Sequence, residues 1–178
     1  TLRLGTAVLF RLLDALPTGG RLLYLSSSEV CSGSPHLRHQ EHDIGNTSPA
    51  HARGCYIEAK RCGEAICHAA RAAGAEAIIA RVSLAYGPGV KRGDTRVMNE
   101  LITQAVRTGE IIMQDGGQAR RTYCYVTDIA EMLLTILLRG KQGVYNVAGE
   151  GETTVLSLAR RIAAASGARI TVPRGLGP

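Results

Sequence analysis

The sequence predicts an α/β protein whose helices cover a parallel sheet. Two apolar strand segments, at residues 22–25 and 77–80, are separated by a stretch with helical periodicity. Strands that alternate with helices are joined by crossover connections, which favours parallel pairing. The chain has 178 residues, enough for one domain with a core of its own. We therefore expect a parallel sheet at least in the first half of the chain.

Turn residues and apolar periodicity set the expected boundaries in the first half. In order, the elements are a helix at residues 1–16, a strand at 21–26, a long loop at 31–52, a helix at 54–73 and a strand at 76–82. The loop is rich in Ser, Gly, His and Pro. Ordered loops of this length are more often functional than decorative.

The second half alternates in the same way, with shorter strands. The expected elements are a helix at 96–108, strands at 110–113 and 122–126, a helix from 127, a strand at 144–147 and a last helix to 166. Thr153 is expected to cap the last helix with its hydroxyl. The chain starts without an initiator Met, so we expect the natural protein to begin earlier.

Composition disfavours several classes of protein. The net charge is +6, but the Arg residues are scattered without interleaved aromatic residues. This pattern disfavours nucleic-acid binding and is compatible with an anionic small molecule such as a nucleotide diphosphate. Five cysteines without disulfide-like spacing favour a reduced, cytoplasmic protein. No apolar run reaches the roughly 18 residues that a membrane span needs, so we expect no membrane segment.

A Tyr-x-x-x-Lys pair, Tyr56 and Lys60, is the strongest chemical signal in the chain. Residues four apart share one face of a helix, so the phenol and the ammonium can point into one site. A neighbouring ammonium favours a phenolate, which could be the base that takes a proton from a sugar hydroxyl. The spacing alone is weak, because Tyr and Lys are common residues.

Hydroxyl groups and a carboxylate follow the first predicted strand. Ser27, Ser28 and Glu29 stand at its carboxyl end, where open α/β sheets bind their ligands. A serine there could hydrogen-bond the sugar oxygen that Tyr56 deprotonates. Glu29 could be a general acid or base, a hydrogen-bond acceptor or a solvated cap. A plain serine-rich turn is the alternative interpretation of this segment.

Three further patterns carry weaker signals. The loop histidines and the cysteines match no zinc spacing, so we expect no metal site. Arg120 and Arg121 are either a solvated pair or a clamp for phosphate or carboxylate. No Gly-x-Gly-x-x-Gly phosphate loop occurs in the chain. The residues alone therefore support a sugar- or alcohol-handling oxidoreductase fold without that loop.

Together these motifs resemble the extended short-chain dehydrogenases/reductases that act on nucleotide sugars, the epimerase/dehydratase family, and within it UDP-glucuronate decarboxylase. The segments that carry the resemblance are residues 25–30, 55–61, 80–82, 86–89, 94–97, 121–128 and 145–147. The resemblance implies a Rossmann-like parallel sheet that binds NAD, without the N-terminal half of the nucleotide-binding domain, and a small C-terminal substrate domain. Residues 1–88 would be the C-terminal part of the Rossmann domain. Residues 89–178 would contribute the substrate domain and the remaining Rossmann elements.

The resemblance also implies roles for individual residues. Tyr56 would be the base, Lys60 its partner at the nicotinamide ribose, and Ser27 the hydroxyl of the catalytic triad. The residues implied in catalysis are Ser27, Glu29, Tyr56, Lys60 and Arg121; in cofactor binding, Tyr56, Lys60, Ala85 and Arg96; and in substrate binding, Ser28, Glu29 and Arg121.

The activity that the resemblance implies is NAD-dependent oxidation of a UDP-sugar at C4, followed by decarboxylation, in a homodimer. A 4-epimerase, a 4,6-dehydratase or a truncated non-catalytic fragment are the alternatives. The sequence leaves open which sugar and nucleotide are used, and whether the cofactor is NAD or NADP.

Overall fold

A computed structural model of the chain describes residues 2–91 and 93–173. The chain divides into two compact units, Thr1–Ala85 with Cys124–Gly149, and Tyr86–Tyr123 with Glu150–Pro178. The helices and strands, in chain order, are α1 (Leu2–Asp14), β1 (Arg21–Ser27), α2 (Gly54–Ala72), β2 (Glu76–Val82), β3 (Leu84–Tyr86), α3 (Val97–Thr108), β4 (Glu110–Ile112), β5 (Arg120–Arg121), β6 (Tyr123–Tyr125), α4 (Val126–Arg139), β7 (Val144–Val147), β8 (Thr153–Thr154), α5 (Val155–Ser166) and β9 (Arg169–Thr171). A 3₁₀ turn at Ser28–Cys31 follows β1 directly. In the part of the chain that the structure describes, no helix is long and apolar enough to cross a membrane.

The first unit is built on a parallel sheet in the order β1–β2–β7. The register places Leu23 of β1 beside Ile78 of β2, and Ala80 of β2 beside Tyr145 of β7. The connection from β1 to β2 contains α2, and the connection from β2 to β7 contains α4. The predicted α/β fold with a parallel sheet is confirmed.

The central strand β2 is buried on both faces. Ala77 and Ile79 pack with Cys67 of α2 on one face of the sheet. Ala80 packs with Ile129 of α4 on the other face. Successive side chains of a strand point to opposite faces, so a strand covered on both sides needs a continuous apolar run. This explains why the segment carries no alternation of apolar and polar residues.

The second unit has a core of its own between α3 and α5. β4 pairs with β9 in parallel, and β5 pairs with β8 antiparallel. The buried side chains of this core are Leu101, Ala105, Ile111, Met113, Leu158, Ala159 and Ala163. Gly109, in the left-handed conformation at φ +66°, ends α3, because a residue without a side chain adopts this conformation at least cost.

The structure corrects the prediction for the start of the last helix. Thr153 does not cap that helix, because Thr154 stands between it and Val155, the first residue of α5. The cap is Thr154, whose Oγ1 accepts a hydrogen bond from the backbone N–H of Ser157 at 3.0 Å. The sequence also does not predict the short strands β3, β5, β8 and β9.

Candidate active site

The end of β1 carries the first group of predicted site residues. Ser27 is the last residue of β1 and is buried. Its Oγ accepts a hydrogen bond from the backbone N–H of Glu29 at 3.2 Å and so caps the 3₁₀ turn. Ser28, which follows, is exposed. Because a hydroxyl can accept and donate at once, Ser27 retains its hydrogen for a ligand oxygen.

Tyr56 and Lys60 lie one helical turn apart near the start of α2, and both are half-buried. The Nζ of Lys60 is 5.8 Å from the centre of the Tyr56 ring. The same Nζ donates a hydrogen bond to the carbonyl oxygen of Leu25 at 2.7 Å, two residues before Ser27. Burial lowers the pKa of Lys60 below its ordinary value. The structure thus anchors this lysine between α2 and the end of β1.

Glu29 is held by a residue that the sequence reasoning missed. Arg53 donates two hydrogen bonds to the Glu29 carboxylate, one of them from Nε to Oε2 at 2.6 Å. The hydrogen bond to Glu29 raises the pKa of Arg53. The guanidinium carbon also lies 4.7 Å from the centre of the Tyr56 ring, within the range of a cation–π contact. The one available signal was an Arg one turn before Tyr56, at the start of a predicted helix.

A buried ion pair lies next to the end of β1 that carries Ser27. Arg81 of β2 and Glu64 of α2 form two hydrogen bonds, Nε to Oε1 at 2.9 Å and Nη2 to Oε2 at 2.7 Å. Their side chains are only 2% and 4% exposed. Ser26 donates from Oγ to Glu64 Oε1 at 2.5 Å. Ser26, the residue before Ser27, is therefore linked through Glu64 to α2 and to Arg81 of β2. The sequence signal for this ion pair was one charged residue within the apolar positions of each of these two elements.

Two arginines fix the long loop that precedes α2. Arg81 Nη1 donates to the backbone oxygens of Asp43 at 2.9 Å and of Glu41 at 3.0 Å. Arg61 of α2 donates to the backbone oxygens of Val30 and Gly45. The path of the loop is therefore held by hydrogen bonds from these two arginines to its backbone carbonyl groups.

The loop histidines contact a carboxylate. His36 Nδ1 lies 3.0 Å from Asp43 Oδ1, and His42 Nε2 lies 3.7 Å from the same atom. Among the residues that the structure describes, no group of three or more His, Cys, Asp or Glu side chains is placed to hold a metal ion.

The remaining predicted residues have other surroundings. Ala85 of β3 is half-buried in the first unit. Arg96 and Arg121 belong to the second unit and are exposed. Arg96 forms an ion pair with Asp94, and this contact is the main reason why the pKa of Asp94 lies well below its ordinary value. Arg121 donates from Nη1 to the backbone oxygen of Arg120 at 2.7 Å.

A cavity of about 710 Å³ lies in the second unit, along α3 and the chain segment that precedes it. Lys91 and Arg107 supply positive charge at its wall, and Asp94 and Glu100 supply negative charge. Ile102 and Val106 of α3 add exposed apolar surface.

Comparison with known proteins extends these observations. The model of the NAD dependent epimerase/dehydratase family matches residues 2–148. The chain is 36% identical over 148 residues to UDP-glucuronic acid decarboxylase 6 of Arabidopsis thaliana, and the match covers 81% of the chain and 42% of that relative. The chain therefore spans less than half the length of this relative.

Solved structures share the fold. UDP-N-acetylglucosamine 4-epimerase from Methanobrevibacter ruminantium M1 matches with a TM-score of 0.81 at 18% identity, over 98% of the chain and 57% of that structure. UDP-glucuronic acid 4-epimerase from Bacillus cereus, in complex with UDP-glucuronic acid and NAD, matches with a TM-score of 0.76 at 20% identity, over 97% of the chain and 55% of that structure. At these identities the comparison establishes the Rossmann-like fold.

Proposed function

Because the chain belongs to the NAD dependent epimerase/dehydratase family, we propose that it is part of an NAD-dependent UDP-glucuronate decarboxylase. The observation that carries the proposal is the hydrogen bond from Lys60 to the Leu25 carbonyl, two residues before Ser27, by an ammonium that also lies 5.8 Å from the centre of the Tyr56 ring. The likeness to a named decarboxylase, at 36% identity over the same region, supports this activity over others in the family.

The residues present fit the nicotinamide half of NAD. Lys60 offers an ammonium, and Tyr56 offers a hydroxyl, at the carboxyl end of a parallel strand where such cofactors bind. These two residues would hold the nicotinamide ribose, with Ala85 and Arg96 as further proposed contacts. When bound, NAD supplies the hydride acceptor for the oxidation of a sugar alcohol.

In the proposed reaction, Tyr56 removes the proton of the sugar 4-hydroxyl as C4 is oxidised. The Lys60 ammonium, whose Nζ lies 5.8 Å from the centre of the Tyr56 ring, stabilises negative charge on the tyrosine oxygen in this half-buried site. Ser27 donates its hydrogen to the same sugar oxygen and orients the substrate. These three groups lie on two rigid elements, β1 and α2, which limits their loss of freedom on binding.

Decarboxylation then follows from the chemistry of the oxidised sugar. With a ketone at C4, the carboxylate carbon at C6 is attached to C5, next to the ketone. The C5–C6 bond breaks, carbon dioxide leaves, and the electron pair is delocalised onto the C4 oxygen as an enolate. We propose that Arg121 stabilises this enolate and that Glu29, held by Arg53, accepts a hydrogen bond from a sugar hydroxyl alongside Ser28.

The domain division, the cellular compartment and the assembly are also proposals. Residues 1–88 would form the C-terminal part of the NAD-binding domain, and 89–178 would add the substrate domain and the remaining Rossmann elements. Free cysteines at positions 31, 55, 62, 67 and 124 support a reducing compartment such as the cytoplasm. We propose a homodimer as the assembly.

The decisive experiment is incubation of the full-length protein with NAD and a panel of UDP-sugars, read by mass spectrometry. We expect UDP-glucuronate to lose carbon dioxide, and we expect Tyr56→Phe to lose at least about 100-fold in kcat, as for removal of a general base. Binding of the sugar nucleotide should persist in this variant. Normal turnover in Tyr56→Phe would remove Tyr56 from the role of base.

A 4-epimerase or 4,6-dehydratase would use the same Ser27, Tyr56 and Lys60. Epimerisation would change the configuration at C4 without loss of mass, and dehydration would remove water instead of carbon dioxide. A non-catalytic fragment would change none of the sugars, and its ligand binding would not respond to Tyr56→Phe. The same panel therefore separates all of these alternatives.

A further inference from the structure

Lys60 lies near two tyrosine rings, and only one of them belongs to the proposed catalytic pair. The Nζ of Lys60 is 5.4 Å from the centre of the Tyr24 ring and 5.8 Å from that of Tyr56. Tyr24 is on β1, directly before Leu25, whose carbonyl oxygen accepts the hydrogen bond from Lys60. One short stretch of β1 therefore gives the ammonium both a carbonyl oxygen and an aromatic face.

We propose that Tyr24 is a positioning residue that holds the ammonium of Lys60 at the end of β1. The inference rests on the proposed function only in taking Lys60 as the partner of Tyr56. A cation within about 6 Å of a ring centre is attracted by the negative face of the ring. The two contacts from β1 restrict a long, flexible side chain to one region, so that Tyr56 always has the cation beside it.

The position of the Tyr24 ring depends on Gly63 of α2. A Cβ atom at position 63 would lie 2.1 Å from the Tyr24 hydroxyl oxygen and 2.2 Å from the adjacent ring carbon. Any side chain at this position would therefore push the ring away. Glycine in a helix interior makes the protein less stable than alanine would. The close approach of the Tyr24 ring explains why a glycine nevertheless occupies this buried position. Gly63 follows Lys60 by three residues, on the neighbouring part of the same helix face.

Tyr24 is suited to hold a cation and unsuited to act as a second base. Burial, together with the charges of Cys67 and Glu64, raises the pKa of Tyr24 to about 12. Tyr24 therefore keeps its proton at neutral pH. Burial also lowers the pKa of Lys60, and an aromatic face that favours the charged ammonium opposes that effect. The titratable groups that act on Tyr24 from α2 are Tyr56, Cys62, Glu64 and Cys67.

The test measures the titration of Lys60 directly. The rate at which acetic anhydride labels Lys60 would be followed against pH by peptide mass spectrometry in the wild type, Tyr24→Phe and Tyr24→Leu. The exposed Lys141 provides an internal reference in each sample. Tyr24→Phe keeps the ring and should titrate like the wild type. Tyr24→Leu should lower the labelling midpoint by about 0.4–0.7 pH unit, which corresponds to a cation–π energy of about 0.5–1 kcal/mol.

A second variant keeps the test decisive should Tyr24→Leu fail to fold. Gly63→Ala leaves the ring in the chain but displaces it, so it should shift the Lys60 midpoint in the same direction as Tyr24→Leu. Equal midpoints in all variants would overturn the proposal. A shift in Tyr24→Phe as large as that in Tyr24→Leu would also overturn it, because the hydroxyl and not the ring would then hold the lysine.

Turnover separates this inference from the proposed function. In an enzyme that Tyr56→Phe inactivates, Tyr24→Leu should lower kcat about twofold to fivefold at unchanged KM, as expected for a loss of about 0.5–1 kcal/mol in the transition state, whereas Tyr24→Phe should not. Full activity of Tyr56→Phe would count against the proposed function alone, and the labelling of Lys60 would still decide whether Tyr24 holds it.

Discussion

Removing one partner of the buried Arg81–Glu64 ion pair should destabilise the protein strongly. Glu64→Gln keeps the size of the side chain but leaves the Arg81 cation without a counter-charge, in a place where its side chain is 2% exposed. Breaking a buried pair in this way costs about 3–5 kcal/mol. We place Glu64→Gln at the lower end, about 3 kcal/mol, because Arg81 keeps its hydrogen bonds to the backbone oxygens of Glu41 and Asp43.

The opposite substitution should cost more. Arg81→Met leaves the Glu64 carboxylate unpaired and also removes the donor of those two loop carbonyls, each worth about 1–3 kcal/mol when buried without a partner. The double variant Glu64→Met with Arg81→Met contains no unpaired charge. It should therefore be more stable than Arg81→Met alone by at least about 1 kcal/mol.

The free energies of unfolding would be measured by urea denaturation followed by circular dichroism, with all four proteins compared at one pH. A double variant that is no more stable than Arg81→Met alone, or a loss of less than about 1 kcal/mol in Glu64→Gln, would refute the reasoning. Either result would mean that the pair is not desolvated as its geometry indicates.

Two further predictions concern titrating groups. Hydrogen bonds from the Gln40 backbone and from His36 lower the pKa of Asp43, so its contribution to stability is present above the ordinary value of about 3.9 and is lost as the pH falls below it. Melting temperatures between pH 3 and pH 7 should therefore depend less on pH in Asp43→Asn than in the wild type, and equal slopes would contradict this. Burial and the charge of Glu64 raise the pKa of Cys67 to about 11, whereas Cys62 is exposed. A thiol reagent at pH 8 should modify Cys62 in the folded protein and Cys67 only after urea is added, as read by peptide mass spectrometry; equal rates in the fold would show that α2 is not packed as described.

The long elements could be predicted because their signals are local. The apolar run of β2 and the periodicity of α2 mark these elements without any knowledge of the rest of the chain. The two-residue strands β5 and β8 exist only because they pair across about 30 residues of sequence, so no local pattern specifies them. Thr153 and Thr154 have the same capping chemistry and both lie in β8, and Thr154 is the cap because α5 begins at the next residue, Val155.

The candidate site could be predicted in part, for a similar reason. The spacing of Tyr56 and Lys60 is a property of one helix, and the place of Ser27 is a property of one strand. Arg53 could not be predicted, because its contacts with Glu29 and Tyr56 depend on the path of the loop before α2. That path is fixed by arginines that donate to backbone atoms, and hydrogen bonds of this kind leave no pattern in the loop residues themselves.

The anchoring of this loop through backbone oxygens has a consequence for how the protein can diverge. Every amino acid carries a backbone carbonyl, so the hydrogen bonds from Arg61 and Arg81 require no particular side chain at the exposed positions of the loop. Homologues and engineered libraries can therefore exchange exposed positions such as Leu37, Arg38 and His39 while the backbone keeps its course. Selection should act instead on the two distant guanidinium groups, so the exposed surface of this loop is a place where new specificities can arise at little cost to folding.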